Sequence, residues 1–249
     1  MISDDAVKLL IFKCMTQLQS VYDPNAPVLS QIFRGRLPHL VNQHPGGCDR
    51  NLAVFEKYRI IPEPCFSCYK VLVVPRTVVE LFKLMMVFDD IDLRKDNSRK
   101  CMIENREGIS GYYKGYVYCE GKEEAAGIMQ TARLLIDERI SADISVELKH
   151  GCSEFVLAYP EYGKMDGDNA MEYDENWREL EHRADMELGI GLEQPTANSY
   201  NHQEYSLDDM YAMFAWLRYA ATIGDRSYLS VCSGNIPGFD NINRKPYCL

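Results

Sequence analysis

The 249-residue chain has no apolar run that could cross a bilayer as a helix, which takes roughly 20 residues; the longest, Leu81 to Phe88, is broken by Lys83. The opening segment, MISDDAVKLLIFKCM, begins acidic and lacks a small-residue cleavage site. It reads as an amphipathic helix and not as a secretion signal. Also missing are a Gly-x-Ser-x-Gly elbow, a His-Glu-x-x-His pair and a Gly-Lys-Ser/Thr phosphate loop, and with them the chemistries those motifs carry. The stretch DGDNAMEYDE has the carboxylates of a calcium loop, but its glycine stands second and not sixth, so it is no EF-hand. There is no internal repeat and no low-complexity tract.

What the chain does have is sulfur. Nine cysteines is a high and odd number. Without a secretion signal the expected compartment is the reducing cytoplasm, where clustered thiols serve metal binding, catalysis or plain packing. The remaining composition, 46% hydrophobic and 26% charged, is that of an ordinary globular protein. The net charge of −10 is uneven. Residues 161–249 hold 7 basic and 16 acidic side chains, a net of −9, so any polyanion-binding surface belongs to the first two-thirds.

Residues 3–21 carry helical spacing, and a second short helix is expected over Leu29 to Phe33. Arg34 to Pro64, with HPGGCDRN, reads as a loop with a helical turn near Leu52 to Tyr58. The middle third alternates clearly: a strand at CYKVLVV, a helix opened by the capping box Thr77-Val-Val-Glu80, strands at RKCMIEN and YYKGYVYCE, a helix after Gly121, and a last strand through ISVELKHGCSEFVLAYP. The order β-α-β-β-α-β predicts an α+β, ferredoxin-like sheet with strand order 4-1-3-2 and both helices on one face. Residues 65–160 form that core, 1–64 an N-terminal extension of helix and loop, and 161–249 an acidic helical C-terminal extension, all in a single domain. Helices are expected near Asn176–Leu188 and Ser206–Ile223.

This topology brings Cys65 and Cys68, at the start of the first strand, to the sheet edge shared by Cys101 and Cys119. Such a set is expected to hold zinc, or less readily an iron–sulfur cluster, or simply to pack. Cys152, with His150 and Lys149 beside it, is the best isolated nucleophile and would act with His150 as its base.

The third strand supplies a different expectation. Alternation sets Tyr112, Lys114, Tyr116 and Tyr118 on the sheet face away from the helices. Lys114-Gly-Tyr-Val-Tyr118 resembles the strand-3 signature of RNA-recognition-motif domains, which stack bases on such aromatics, although the spacing is one position short. The resemblance implies binding of a phosphate-bearing ligand, a nucleotide or single-stranded nucleic acid. Arg76, Arg99, Lys100 and Lys149 would neutralise its charge. The competing class is a thiol- or metal-dependent enzyme using the cysteines.

Overall fold

Strand formation in the middle of the chain follows from alternation. In Tyr69–Val74 (β2), Val71 and Val73 are fully buried against helices, while Cys68, Lys70 and Leu72 point the other way. The structure is a computed structural model that describes residues 1–18, 33–36, 47–95, 97–104, 108–165, 170–189 and 207–232. The remaining elements are α1 (Asp4–Leu18), β1 (Phe33–Arg36), α2 (Gly47–Tyr58), α3 (Val78–Asp90), β3 (Arg99–Ile103), β4 (Tyr113–Cys119), α4 (Lys122–Arg139), β5 (Ser145–His150), α5 (Ser153–Ala158), α6 (Arg178–Leu188), α7 (Leu207–Ile223) and α8 (Tyr228–Val231).

The five strands lie in the order β1-β3-β4-β2-β5, every neighbouring pair antiparallel. The four strands expected from the sequence keep the order 4-1-3-2. The fifth, β1, adds to the β3 edge with Phe33 opposite Met102. Phe33 therefore belongs to a strand and not to the expected short helix, whose other residues lie outside those described.

Helices α3 and α4 cover one face, joined there by α1 and α7. Thr77 caps α3 by accepting from the Glu80 N–H at 3.2 Å, and Glu80 in turn accepts from the Arg76 N–H at 2.7 Å. Gly115 lets α3 press onto β4: a Cβ there would stand 2.5 Å from Leu84 Cδ2. Phe82 and Trp216, both fully buried, pack ring against ring between α3 and α7.

A second, smaller apolar cluster sits where β2 begins and β5 ends. It contains Phe55, Ile61, Cys65, Phe155 and Tyr162, with Trp177 alongside, and is built by α2, α5 and the residues before α6. Two expectations need correcting here. The segment holding Cys48 is the first turn of a twelve-residue helix, not a loop. The last strand stops at His150, and the chain turns at Gly151 (φ +60°) into α5. That turn is closed by the Gly151 N–H donating to Cys68 O at 2.8 Å.

Candidate functional site

Because alternation turns Lys70 away from the helices, its ammonium lies on the opposite sheet face, only 6% exposed. The register sets Lys149 on one side of it and Tyr118 on the other. Two like charges directly opposite across a ladder repel, so this row needs negative charge nearby. The Gly151 turn supplies a partner. It returns Cys152 over the start of β2, where Lys70 Nζ donates to Cys152 Sγ at 3.1 Å and lies 5.2 Å from the Tyr118 ring centroid.

The electrostatics follow from this packing. Burial works to lower the Lys70 pKa, but Cys152, Cys68 and Tyr118 together hold it well above its ordinary value. Lys149 goes the other way: burial, then the ammoniums of Lys70 and Lys114, push it down to about 8. Burial raises the Cys68 thiol to about 11 and that of Cys65 well above its usual range.

Cys152 is half-buried and lines a small pocket, about 250 Å³ of space counting its mouth. Cys48, Cys65 and Cys68 line the same pocket, with Asn51, Phe155 and Tyr162. The floor around it is hydrogen-bonded and closely packed. Tyr162 OH donates to Cys65 O at 2.7 Å, and a Cβ at Gly151 would stand 2.2 Å from the Tyr162 ring.

His150 is adjacent in sequence to this turn but not a partner of Cys152. Its Nδ1 lies 2.6 Å from Tyr162 O and its Nε2 3.0 Å from Phe66 O, and its ring stacks on Tyr69 and Tyr162. Both ring nitrogens are occupied by backbone carbonyls, so the expected Cys152–His150 pair is corrected to Cys152–Lys70. The signal that could have found Lys70 is a lysine at an outward position of a β-branched strand.

The four expected metal cysteines are not brought together. Cys65 and Cys68 meet Cys48 and Cys152. Cys101 lies opposite Gly115 and Cys119 opposite Tyr69, which puts them roughly 14 Å apart along the strands. Both face the helical core. Among the described residues no group of three or more His, Cys, Asp or Glu is arranged to hold a metal ion.

Of the expected ligand-binding residues, Tyr116, Tyr118, Lys100 and Lys149 share one patch. Lys100 lies 5.8 Å from the Tyr116 ring and 5.9 Å from that of Tyr118, and Lys149 lies 5.9 Å from Tyr116. Tyr116 is 5% exposed. Lys114 is on the same face, paired at 3.3 Å with buried Glu104. The other three stand elsewhere. Tyr112 precedes β4, exposed, with its ring 6.5 Å from that of Tyr219. Arg76 is tied to Glu80 and Asp143 at the start of α3. Arg99 is buried on the helical side, donating to the carbonyls of Phe88, Asn97 and Ile91. It pins the end of α3 to β3, because alternation sends it to the face opposite Lys100.

The chain matches no family model, no curated protein and no solved structure.

Proposed function

We propose that the chain is a thiol-dependent catalyst built on a ferredoxin-like βαββαβ sheet, with Cys152 as its nucleophile and Lys70 as the group that stabilises negative charge on the sulfur. The observation that carries this reading is the 3.1 Å contact from a buried ammonium to a half-buried sulfur in the wall of a pocket. An ammonium taken out of water loses several kcal/mol of hydration, which a facing anion must offset. The Cys152 sulfur is the atom placed within hydrogen-bond distance of that ammonium, and the thiolate that such a cation stabilises is the reactive form of cysteine.

Alkylation at pH 7 tests it. Iodoacetamide should modify Cys152 ahead of Cys232, which is similarly half-buried and has no lysine hydrogen bond to its sulfur among the described residues. Lys70→Met should slow Cys152 at least about tenfold, and Lys70→Arg should retain most of the rate. Equal rates at Cys152 and Cys232 would refute the reading.

A second reading is supported by the ammoniums of Lys70, Lys100 and Lys149 around the rings of Tyr116 and Tyr118. Three cations over two aromatic rings suit a phosphate-bearing ligand such as a nucleotide or single-stranded nucleic acid. Oligonucleotide binding should then weaken steeply with salt and fall in Tyr116→Ala. Affinity indifferent to both would dispose of it.

A further inference from the structure

We infer that Cys152 reacts with a small hydroperoxide and that the oxidised sulfur is then captured by another thiol of the same pocket. The inference rests on the reading of Cys152 as the nucleophile, and adds the class of its electrophile and the fate of the product.

Three observations carry it beyond that reading. The first is the pocket's size: the space open to a water-sized atom beside Cys152 is only about 10 Å³, room for about one oxygen and not for a bulky electrophile.

The second is Asn51, which also lines the pocket. It is 2% exposed, its Oδ1 accepts from Arg50, and its Nδ2 has no hydrogen-bond partner among the described residues. A buried N–H left unmade costs about 1–3 kcal/mol. An oxygen that reached Nδ2 would satisfy it, and a hydroperoxide brings two.

The third is the company Cys152 keeps. Cys48, Cys65 and Cys68 line the same pocket and all four are unbridged. A nucleophilic cysteine beside further thiols is the arrangement in which a sulfenic acid finds a resolving partner. Lone reactive thiols lack that second step.

The chemistry closes without another reagent. The Cys152 thiolate attacks one peroxide oxygen; an S–O bond forms and the O–O bond breaks. The departing alkoxide or hydroxide takes a proton from the Lys70 ammonium and leaves as alcohol or water. Sulfur loses two electrons and the peroxide gains them, which gives a sulfenic acid. A pocket thiol then attacks that sulfur, forming S–S and breaking S–O, and its proton leaves with the oxygen as water. Per chain, one hydroperoxide is consumed and two thiols are lost.

The experiment uses the full chain, fully reduced, with one equivalent of hydrogen peroxide at neutral pH. Dimedone labelling and non-reducing peptide mapping follow the sulfur. The expected result is a dimedone adduct on Cys152 at early times. A disulfide from Cys152 to Cys48, Cys65 or Cys68 replaces it, with two thiols lost per chain. Cys152→Ser should abolish both species, and Asn51→Ala should slow peroxide consumption about tenfold.

Other outcomes overturn the inference. Rapid iodoacetamide alkylation of Cys152 with no peroxide reaction would sink it and leave the nucleophile standing. Slow reaction with both reagents would sink both. Zinc or iron found bound through the four thiols, or a disulfide formed only between chains, would also defeat it.

Discussion

The molecule has two interiors that obey different rules. The larger, between the sheet and helices α1, α3, α4 and α7, is predominantly apolar: Val71, Val73, Phe82, Leu84, Met85, Val117 and Trp216 are closed from solvent, and the buried Arg99 at its edge donates to backbone carbonyls. The smaller, at the β2–β5 end, mixes aromatics with sulfur and leans on a buried charge. Arg50, 1% exposed, donates to Asp185 at 2.8 and 2.9 Å and to Glu181 at 2.6 Å. Glu181 accepts in addition from the Glu63 N–H at 2.9 Å and from Tyr173 OH at 2.8 Å. One guanidinium thereby ties α2 to α6, and Glu181 ties α6 to the turn that carries Cys65. The first interior is held by non-directional packing; the second depends on directional bonds and loses its geometry when one partner is removed.

Each interior holds one of the chain's two tryptophans, Trp216 in the larger and Trp177 in the smaller, so single-tryptophan variants can report on them separately. The largest effect is expected from the carbon core. Phe82 is fully buried with its ring centroid 5.7 Å from that of Trp216, and Phe82→Ala should cost about 4 kcal/mol. Because the smaller interior is seated on the ends of β2 and β5, the denaturant midpoints read from both tryptophans should fall together. A shift seen at Trp216 alone would show the smaller interior to be independent of the sheet.

Arg50→Ala should come next, at about 3 kcal/mol, since it leaves Glu181 buried without its cation. Here the effect should be lopsided: Trp177 unfolds first, while Trp216 holds its midpoint, as expected of a local unit with its own opening equilibrium. Hydrogen exchange would give the same split, with α2 and α6 losing protection and β4 keeping it. Equal shifts at both tryptophans would erase the distinction between the two interiors.

The same contrast explains what can be read from the sequence. The expected order of four strands and two helices rests on apolar periodicity, a local property, and Thr77 signals its helix within four residues. The smaller interior depends on pairs far apart in the chain, Arg50 with Glu181 and Lys70 with Cys152, which no periodicity encodes. Two features mislead. The Gly46-Gly47 pair reads as loop, though Gly47 is the first residue of α2. Six residues of α5 are too few to show a helical period, so the strand pattern runs on through them and sets Cys152 on a strand beside His150. β1, four residues including a glycine, has too little alternation to show itself as a strand.

The smallest expected effect is that of acid, and it should fall on the carbon interior. Asp225 sits at its rim, its carboxylate accepting from the Val78 N–H at 2.7 Å, from Tyr113 OH at 2.7 Å and from the Ser227 N–H at 2.9 Å. Burial works to raise this carboxyl, but the bonds from Ser227, Val78 and Tyr113 outweigh it and hold the pKa below the ordinary 3.8. As pH falls through 3.8 the unfolded chain takes up the proton first, so the contribution of Asp225 is complete above that value. It is lost as pH drops toward the folded pKa. The group is partly open to solvent, so the loss should be on the order of 1 kcal/mol. It should register at Trp216 before Trp177, because Asp225 anchors the first turn of α3, against which Trp216 packs through Phe82. Asp225→Asn should lower the Trp216 midpoint at pH 7 and flatten its decline below pH 4. An unaltered acid profile in that variant would assign the sensitivity to other carboxylates, and a Trp177 midpoint that falls at higher pH than that of Trp216 would place them in the charged interior.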